Sequence, residues 1–279
     1  MEAFGTRLRQ ALDAKGPLCV GIDPHPELMR AWGLPYDVHG LAQFSRTVVD
    51  AVVGRVAVVK PQSAFFERFG SAGIAVLESI IRQLREAGTL VLLDVKRGDI
   101  GSTADAYAHA YLDPSSPIYA DAITVSPYLG FGSLRPVIDL ASEFGSGVFV
   151  LALTSNPEGA SVQRATGPDG RTVAQTIINE ISQLNEGVQP LGSFGIVVGA
   201  TIGDSGHSFA NINGPLLAPG IGAQGASAAD LRRVFGSELA NVLPSVSREI
   251  LGAGPTVSGL VDAIERSLAS TRAVVGKSA

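Results

Sequence analysis

The chain has one cysteine, Cys19, which excludes an internal disulfide and points to a reducing compartment. A free thiol packed in the core is the expected role of that residue. Long apolar runs are missing: Val148 to Leu153, Gly195 to Ala200 and Leu90 to Leu93 all fall far below the ~20 residues that span hydrocarbon. No membrane segment is therefore expected. Met1 to Lys15 lack the apolar stretch of a secretion signal, so a cytosolic protein is expected. Charge is also scarce, at 17% of residues, and 21 Lys and Arg against 26 Asp and Glu leave a formal net charge of −5. That balance offers no basic surface for nucleic acid, and any anionic ligand must be gripped by a few placed cations.

Several motifs are absent. No His-Glu-x-x-His, Cys-His cluster or EF-hand spacing occurs, so no metal site is expected. No Gly-x-Ser-x-Gly elbow supports a Ser-His-Asp triad. The first apolar run ends Gly21-Ile22-Asp23-Pro24-His25-Pro26, without a dinucleotide fingerprint or a P-loop. This counts against an open doubly wound sheet, the architectural runner-up.

What is present is length and apolar content: 279 residues, 46% hydrophobic, enough for one large core. The 33 Gly and 16 Pro are dispersed as punctuation between short elements. Eight short runs rich in β-branched residues read as strands: Leu18 to Ile22, Val56 to Val59, Leu90 to Val95, Ala122 to Val125, Val148 to Leu153, Gly195 to Gly199, Leu216 to Ala218 and Val242 to Val246. Between them lie helical spacings such as Leu41, Phe44, Val48, Val52 and Ile74, Leu77, Ile80, Ile81, Leu84, with Gly88 as a C-terminal cap. Continuously apolar strands alternating with helices predict a parallel sheet covered on both faces. Eight such units predict a closed (β/α)8 TIM barrel, one domain over residues 1–279. Ser155 to Arg171 carries no element signal, and because it follows a strand it is expected on the catalytic face.

In such a barrel, ionisable residues at the C-terminal strand ends are site candidates. Here Asp23 ends the first strand, Lys60 the second, Asp94 and Lys96 the third, Ser126 the fourth, Thr154 and Ser155 the fifth, and Ser247 and Arg248 the eighth. The period of two places Asp94 and Lys96 on one strand face, roughly 6 to 7 Å apart along it. Asp99 falls on the following turn, free to leave its own pocket, and Ser102 with Asp105 has the pattern of a capping box. For Asp94 or Lys96 alone, a buried structural ion pair is the blander explanation. Gathering Lys60, Asp94, Lys96 and Asp99 is harder to explain that way, because desolvating several charges is costly.

A second cluster follows the seventh strand: Ala218-Pro219-Gly220-Ile221-Gly222-Ala223-Gln224-Gly225-Ala226. Its glycines expose N–H groups before a helix near Ser227, which favours a phosphate, and Arg248 adds a bidentate cation at the neighbouring strand. Ordinary loop glycines and a surface arginine remain the alternative for either feature alone. Of the four histidines, only His25 is expected at the mouth.

The stretch Asp94-Val95-Lys96-Arg97-Gly98-Asp99-Ile100-Gly101-Ser102-Thr103 resembles the D-x-K-x-x-D-I-x-x-T signature of the orotidine 5′-phosphate decarboxylase family. Val20 to Asp23, Val59 to Gln62, Thr124 to Tyr128, Ala152 to Asn156, Pro219 to Gly225 and Ser247-Arg248 resemble its other active-site segments, in a longer, type 2-like bacterial form. The resemblance implies a homodimeric barrel that converts orotidine 5′-monophosphate to uridine 5′-monophosphate and CO2, with no cofactor. It implies Lys96 as proton donor, Asp94 against the departing carboxylate, and Lys60 and Asp23 on the ribose. Asp99 and Thr103 would cross into the partner's site, Ser155 would meet the pyrimidine, and Gln224 and Arg248 the phosphate; Ser126 is a further substrate-binding candidate. A Mg²⁺-dependent sugar-phosphate lyase of the same suprafamily would need a second carboxylate at the end of the second strand, where this chain has Lys60. A silent nucleotide-binding barrel would be expected to lose a member of the Asp/Lys array, which is complete here.

Overall fold

A computed structural model describes residues 1–221 and 228–275, with the side chains of residues 228 and 229 excepted. Its strands are β1 Cys19–Ile22, β2 Val58–Pro61, β3 Leu90–Arg97, β4 Ala122–Val125, β5 Gly147–Leu153, β6 Phe194–Val198, β7 Leu216–Pro219 and β8 Val242–Val246. They pair in parallel in chain order, and β8 returns to β1, so the sheet is a closed barrel. Each apolar run in the sequence became one of these strands, with ends shifted by at most a few residues.

Residue alternation divides the core into two parts. Leu18, Val20, Ile22, Val59, Val91, Leu93, Ile123, Val148, Val150 and Ile196 join the apolar faces of the surrounding helices in one cluster. Cys19, Val58, Leu90, Leu92, Ala122, Phe149, Val197, Leu217 and Leu243 fill the inside of the barrel. The continuous hydrophobicity of the strands is therefore two interleaved period-two patterns, one for each face.

The helix Val38–Val52 turns Leu41, Phe44, Val48 and Val52 inward, and the Asp37 carboxylate caps it by accepting 2.9 Å bonds from the N–H groups of His39 and Gly40. The helix Gly70–Glu86 buries Leu77, Ile80, Ile81 and Leu84. It ends at Gly88, whose N–H donates to the Arg85 carbonyl while that of Thr89 reaches the Leu84 carbonyl, the Schellman pattern.

The N-terminal helix Phe4–Lys15 closes the end of the barrel opposite the strand C-termini. Its Phe4, Leu8 and Leu12 belong to the interior cluster, and Phe4 meets Phe149 edge-on at 6.0 Å between ring centroids. A Cβ on Gly147 would lie 2.3 Å from the Phe4 ring, so only glycine lets this plug seat against β5. Full burial of Phe149 contributes about 2 to 3 kcal/mol from area alone. Arg7 fixes the plug from outside by pairing at 2.5 Å with Asp121, whose other oxygen accepts the Val91 N–H.

Two local expectations are corrected. Ser102 is not a capping residue: the helix Gly101–Leu112 is already running at Gly101, so the hydroxyl sits inside the first turn and no side chain caps the end. Ser155 to Arg171 is not without structure. It holds a 3-10 turn at Pro157–Gly159, a helical turn at Ala160–Gln163 and a bridge between Thr166 and Thr172. Gln163 folds back on the end of β5, accepting the Thr154 N–H at 3.0 Å and donating to its hydroxyl at 2.7 Å. Polar side chains hold the segment, and hydrophobic periodicity does not register them.

Candidate active site

The interior faces of the strands change character toward their C-terminal ends. Along β2 Val58 is followed by Lys60, along β3 Leu90 and Leu92 by Asp94, along β4 Ala122 by Thr124, and along β8 Leu243 by Ser245. The lower members are packed floor; the upper members line a cavity of about 450 Å³. That volume suits a small-molecule ligand.

Asp94 is the hub. Its Oδ2 lies 2.9 Å from Lys60 Nζ, and its Oδ1 lies 2.5 Å from Lys96 Nζ and accepts the Thr124 hydroxyl at 2.8 Å. Lys60 also stands 4.0 Å from Asp23 Oδ1, a buried atom with no hydrogen-bond partner. Lys60 and Asp94 are each 5% exposed, whereas the Lys96 side chain is 44% exposed and lines the cavity.

Burial works against both buried charges, and their partners more than reverse it. Burial alone would raise the Asp94 carboxyl, but Lys60 and Lys96 bring it down to about 2. Burial would lower the Lys60 ammonium, but Asp23 and Asp94 push it above its ordinary value. Cys19, directly beneath on β1, is pushed up to about 12 by burial, so it stays a neutral thiol.

Lys96 reaches this network by an irregular backbone. Its φ is +47°, in the left-handed region that costs a non-glycine residue about 1 to 2 kcal/mol. The β3–β4 register shifts there, from Leu93 opposite Ile123 to Arg97 opposite Val125. The Lys96 N–H, freed from the ladder, donates to the Thr124 hydroxyl at 3.0 Å. Asp94 and Lys96 thus share the cavity through a bulge, and not by the simple alternation the sequence suggests.

Asp23, Lys60, Asp94, Lys96, Ser155 and Arg248 all line the cavity, as does His25. Ser126 does not: β4 ends at Val125, and beyond it the Ser126 N–H is engaged by the Arg97 carbonyl at 2.7 Å. The fourth charge of the mouth is Asp23, because Asp99 lies past the end of β3 and outside the cavity. Thr103 is exposed on the first turn of the helix Gly101–Leu112, also outside it. Gln224 and the other residues of 222–227 lie outside the described residues, while Pro219, Gly220 and Ile221, just before them in the chain, line the cavity. A Cβ on Gly21 would meet Ser247 Oγ at 1.9 Å, so glycine there allows β8 and Asp23 to share the rim.

Three polar lining residues were missed. Thr124 follows the interior Ala122 by two positions, Ser245 follows Leu243 by two, and Gln62 follows Lys60 by two, its amide donating to the Asp94 carbonyl at 3.3 Å. The period of two is enough to find all three. Among the described residues, no group of three His, Cys, Asp or Glu side chains is placed to hold a metal ion.

The profile of the Orotidine 5'-phosphate decarboxylase / HUMPS family matches residues 16–260. The chain belongs to this family. Within the Orotidine 5'-phosphate decarboxylase / HUMPS family, an orotidine 5'-phosphate decarboxylase of Salinispora arenicola is 70% identical over 275 residues, covering 99% of each chain. A crystal structure from Streptomyces avermitilis, described as an orotidine 5'-phosphate decarboxylase, superposes with a TM-score of 0.96 at 60% identity, covering 99% of this chain and 97% of that one. The structure of Leishmania donovani OMP decarboxylase gives a TM-score of 0.78 at 29% identity, covering 99% of this chain and all of its own.

Proposed function

We propose that one barrel domain over residues 1–279 converts orotidine 5′-monophosphate to uridine 5′-monophosphate and carbon dioxide without a cofactor, the last step of de novo pyrimidine synthesis. The observation that carries this reading is one buried carboxylate, Asp94, held between two ammoniums, one of them open to the cavity. When the bond from C6 to the carboxylate breaks, its electron pair stays on C6 with little resonance to spread it. A fixed ammonium stabilises that charge and then protonates the carbon. Lys96 does both, giving its proton to C6 and regaining one from solvent.

The other roles follow from position. Asp94 meets the departing carboxylate, where like charge opposes the ground state more than the transition state. Asp23 offers its unpaired oxygen, and Lys60 its ammonium, to the ribose hydroxyls. Ser155 meets the pyrimidine edge, and Arg248, with Gln224, grips the phosphate, whose remote binding energy positions the ring. Asp99 and Thr103, outside their own cavity, enter the partner's site in a homodimer. The enzyme works in the cytosol on a small nucleotide, with no nucleic acid or membrane as partner; no described helix is long and apolar enough to cross one.

The test is spectroscopic. The absorbance of orotidine 5′-monophosphate should fall on adding the protein, with or without EDTA, and should stay constant with Lys96→Ala. Binding of uridine 5′-monophosphate without turnover by the wild type would overturn the reading.

A further inference from the structure

Lys96 is held in an unfavourable backbone region, and such a residue persists only when its surroundings over-determine it. Two contacts of its own have been described, to Thr124 and to Asp94. The next residue is held more extensively. Arg97 Nη2 lies 2.6 Å from Glu67 Oε1, on the helix that follows β2, and the same oxygen accepts the Ser63 hydroxyl at 2.6 Å. Arg97 Nε donates to the Tyr111 hydroxyl at 3.2 Å, and Nη1 donates to the Val95 carbonyl at 3.4 Å. The guanidinium also lies 5.5 Å from the Tyr107 ring centroid and 5.9 Å from that of Tyr111. Both tyrosines belong to the helix Gly101–Leu112, which starts two residues after Asp99.

One side chain therefore ties together the end of β3, the helix after β2 and the helix after β3. We infer that Arg97 is a positioning residue. Clamped on Glu67, Tyr107 and Tyr111, it locks the bulged end of β3 so that Lys96 enters the cavity while Asp99 is carried away from it. Arg97 does not line the catalytic cavity, so it acts through its neighbours and not on the substrate. The fork geometry matters: Glu67 and the Tyr111 hydroxyl are met by different nitrogens of one rigid plane, which an ammonium cannot reproduce.

The inference rests on the decarboxylase reading above, and the same assays separate the two. If the wild type does not turn over orotidine 5′-monophosphate, that reading fails; if the wild type is active, the variants judge Arg97. Arg97→Ala should lower kcat roughly 10- to 100-fold, the scale of a misplaced reacting group, while KM and the affinity for uridine 5′-monophosphate change by less than about threefold. Arg97→Lys and Glu67→Gln should fall between Arg97→Ala and wild type. A purely structural role would instead lower the melting temperature and leave the kcat of the folded fraction unchanged. That result, or a kcat within about threefold of wild type, or a loss shared equally by nucleotide affinity, overturns the assignment. Should Arg97→Ala fail to fold, Glu67→Gln decides by the same criteria.

Discussion

The ammonium of Lys60 stands 2.9 Å from Asp94 Oδ2, with each side chain 7% exposed. Each charge leans on the other, because losing one partner leaves a desolvated ion with weaker compensation. Asp94→Ala should therefore destabilise the fold by about 3 kcal/mol, the low end for breaking a buried pair, since Asp23 remains 4.0 Å from Lys60. Turnover should fall at least ~10²-fold. Urea denaturation alongside the absorbance assay measures both, and an unchanged urea midpoint would refute the dependence of Lys60 on Asp94.

The acid limb of stability follows from the same carboxylate. Folding holds Asp94 at about 2 in place of 3.8. A carboxyl depressed by folding adds stability above its unfolded value and loses that contribution as pH falls through the folded one. Between about pH 5 and about pH 2, wild type should lose about 2 kcal/mol that Asp94→Asn never had. Lys60, raised by folding, has the opposite sign: its contribution is present below 10.5 and fades as pH climbs past that value. Equal acid slopes for wild type and Asp94→Asn would contradict the coupling.

Cys19 is fully buried, with its thiol pushed up to about 12. At about pH 8 the native protein should resist a thiol-specific disulfide reagent, and in denaturant it should react once per chain. Fast labelling of the native state would mean that the barrel interior opens readily.

Asp99 and Thr103 lie outside the cavity of their own chain, which invites a complementation test. Asp99→Ala and Lys96→Ala should each be inactive. Mixed and re-equilibrated, they should recover about a quarter of wild-type activity, because half the dimers are mixed and each holds one intact site. No recovery, with hybrid dimers demonstrated by mass, would remove the exchange.

Arg248 lines the cavity at the end of β8. Arg248→Ala should raise KM roughly 10- to 100-fold for the nucleotide, the loss of a charge-assisted contact, and leave orotidine itself unaffected. Equal effects on both substrates would take the phosphate away from this residue.

The barrel was legible because eight β-branched runs alternate with amphipathic helices, a pattern with few other solutions. Lys60, Asp94 and Asp23 were legible because strand ends fix which face of the barrel they occupy. The positive φ of Lys96 and the matching register shift were not, since hydrophobic pattern carries no information about a left-handed residue in a strand. Ser126 was read as the end of the fourth strand; β4 stops at Val125, and it is Thr124, two residues before Ser126, that lines the cavity. Asp99 sits on the three-residue turn between Arg97 and the following helix, outside its own cavity, as its place past the strand end suggested.

Among the described residues, the aromatic plug formed by Phe4 and Phe149 fills the end of the barrel opposite the mouth. On the decarboxylase reading, carbon dioxide and the finished nucleotide then depart by the mouth, past the threshold of Asp23, Ser155 and Arg248. Traffic through that threshold, and not only bond cleavage, then belongs to the catalytic cycle.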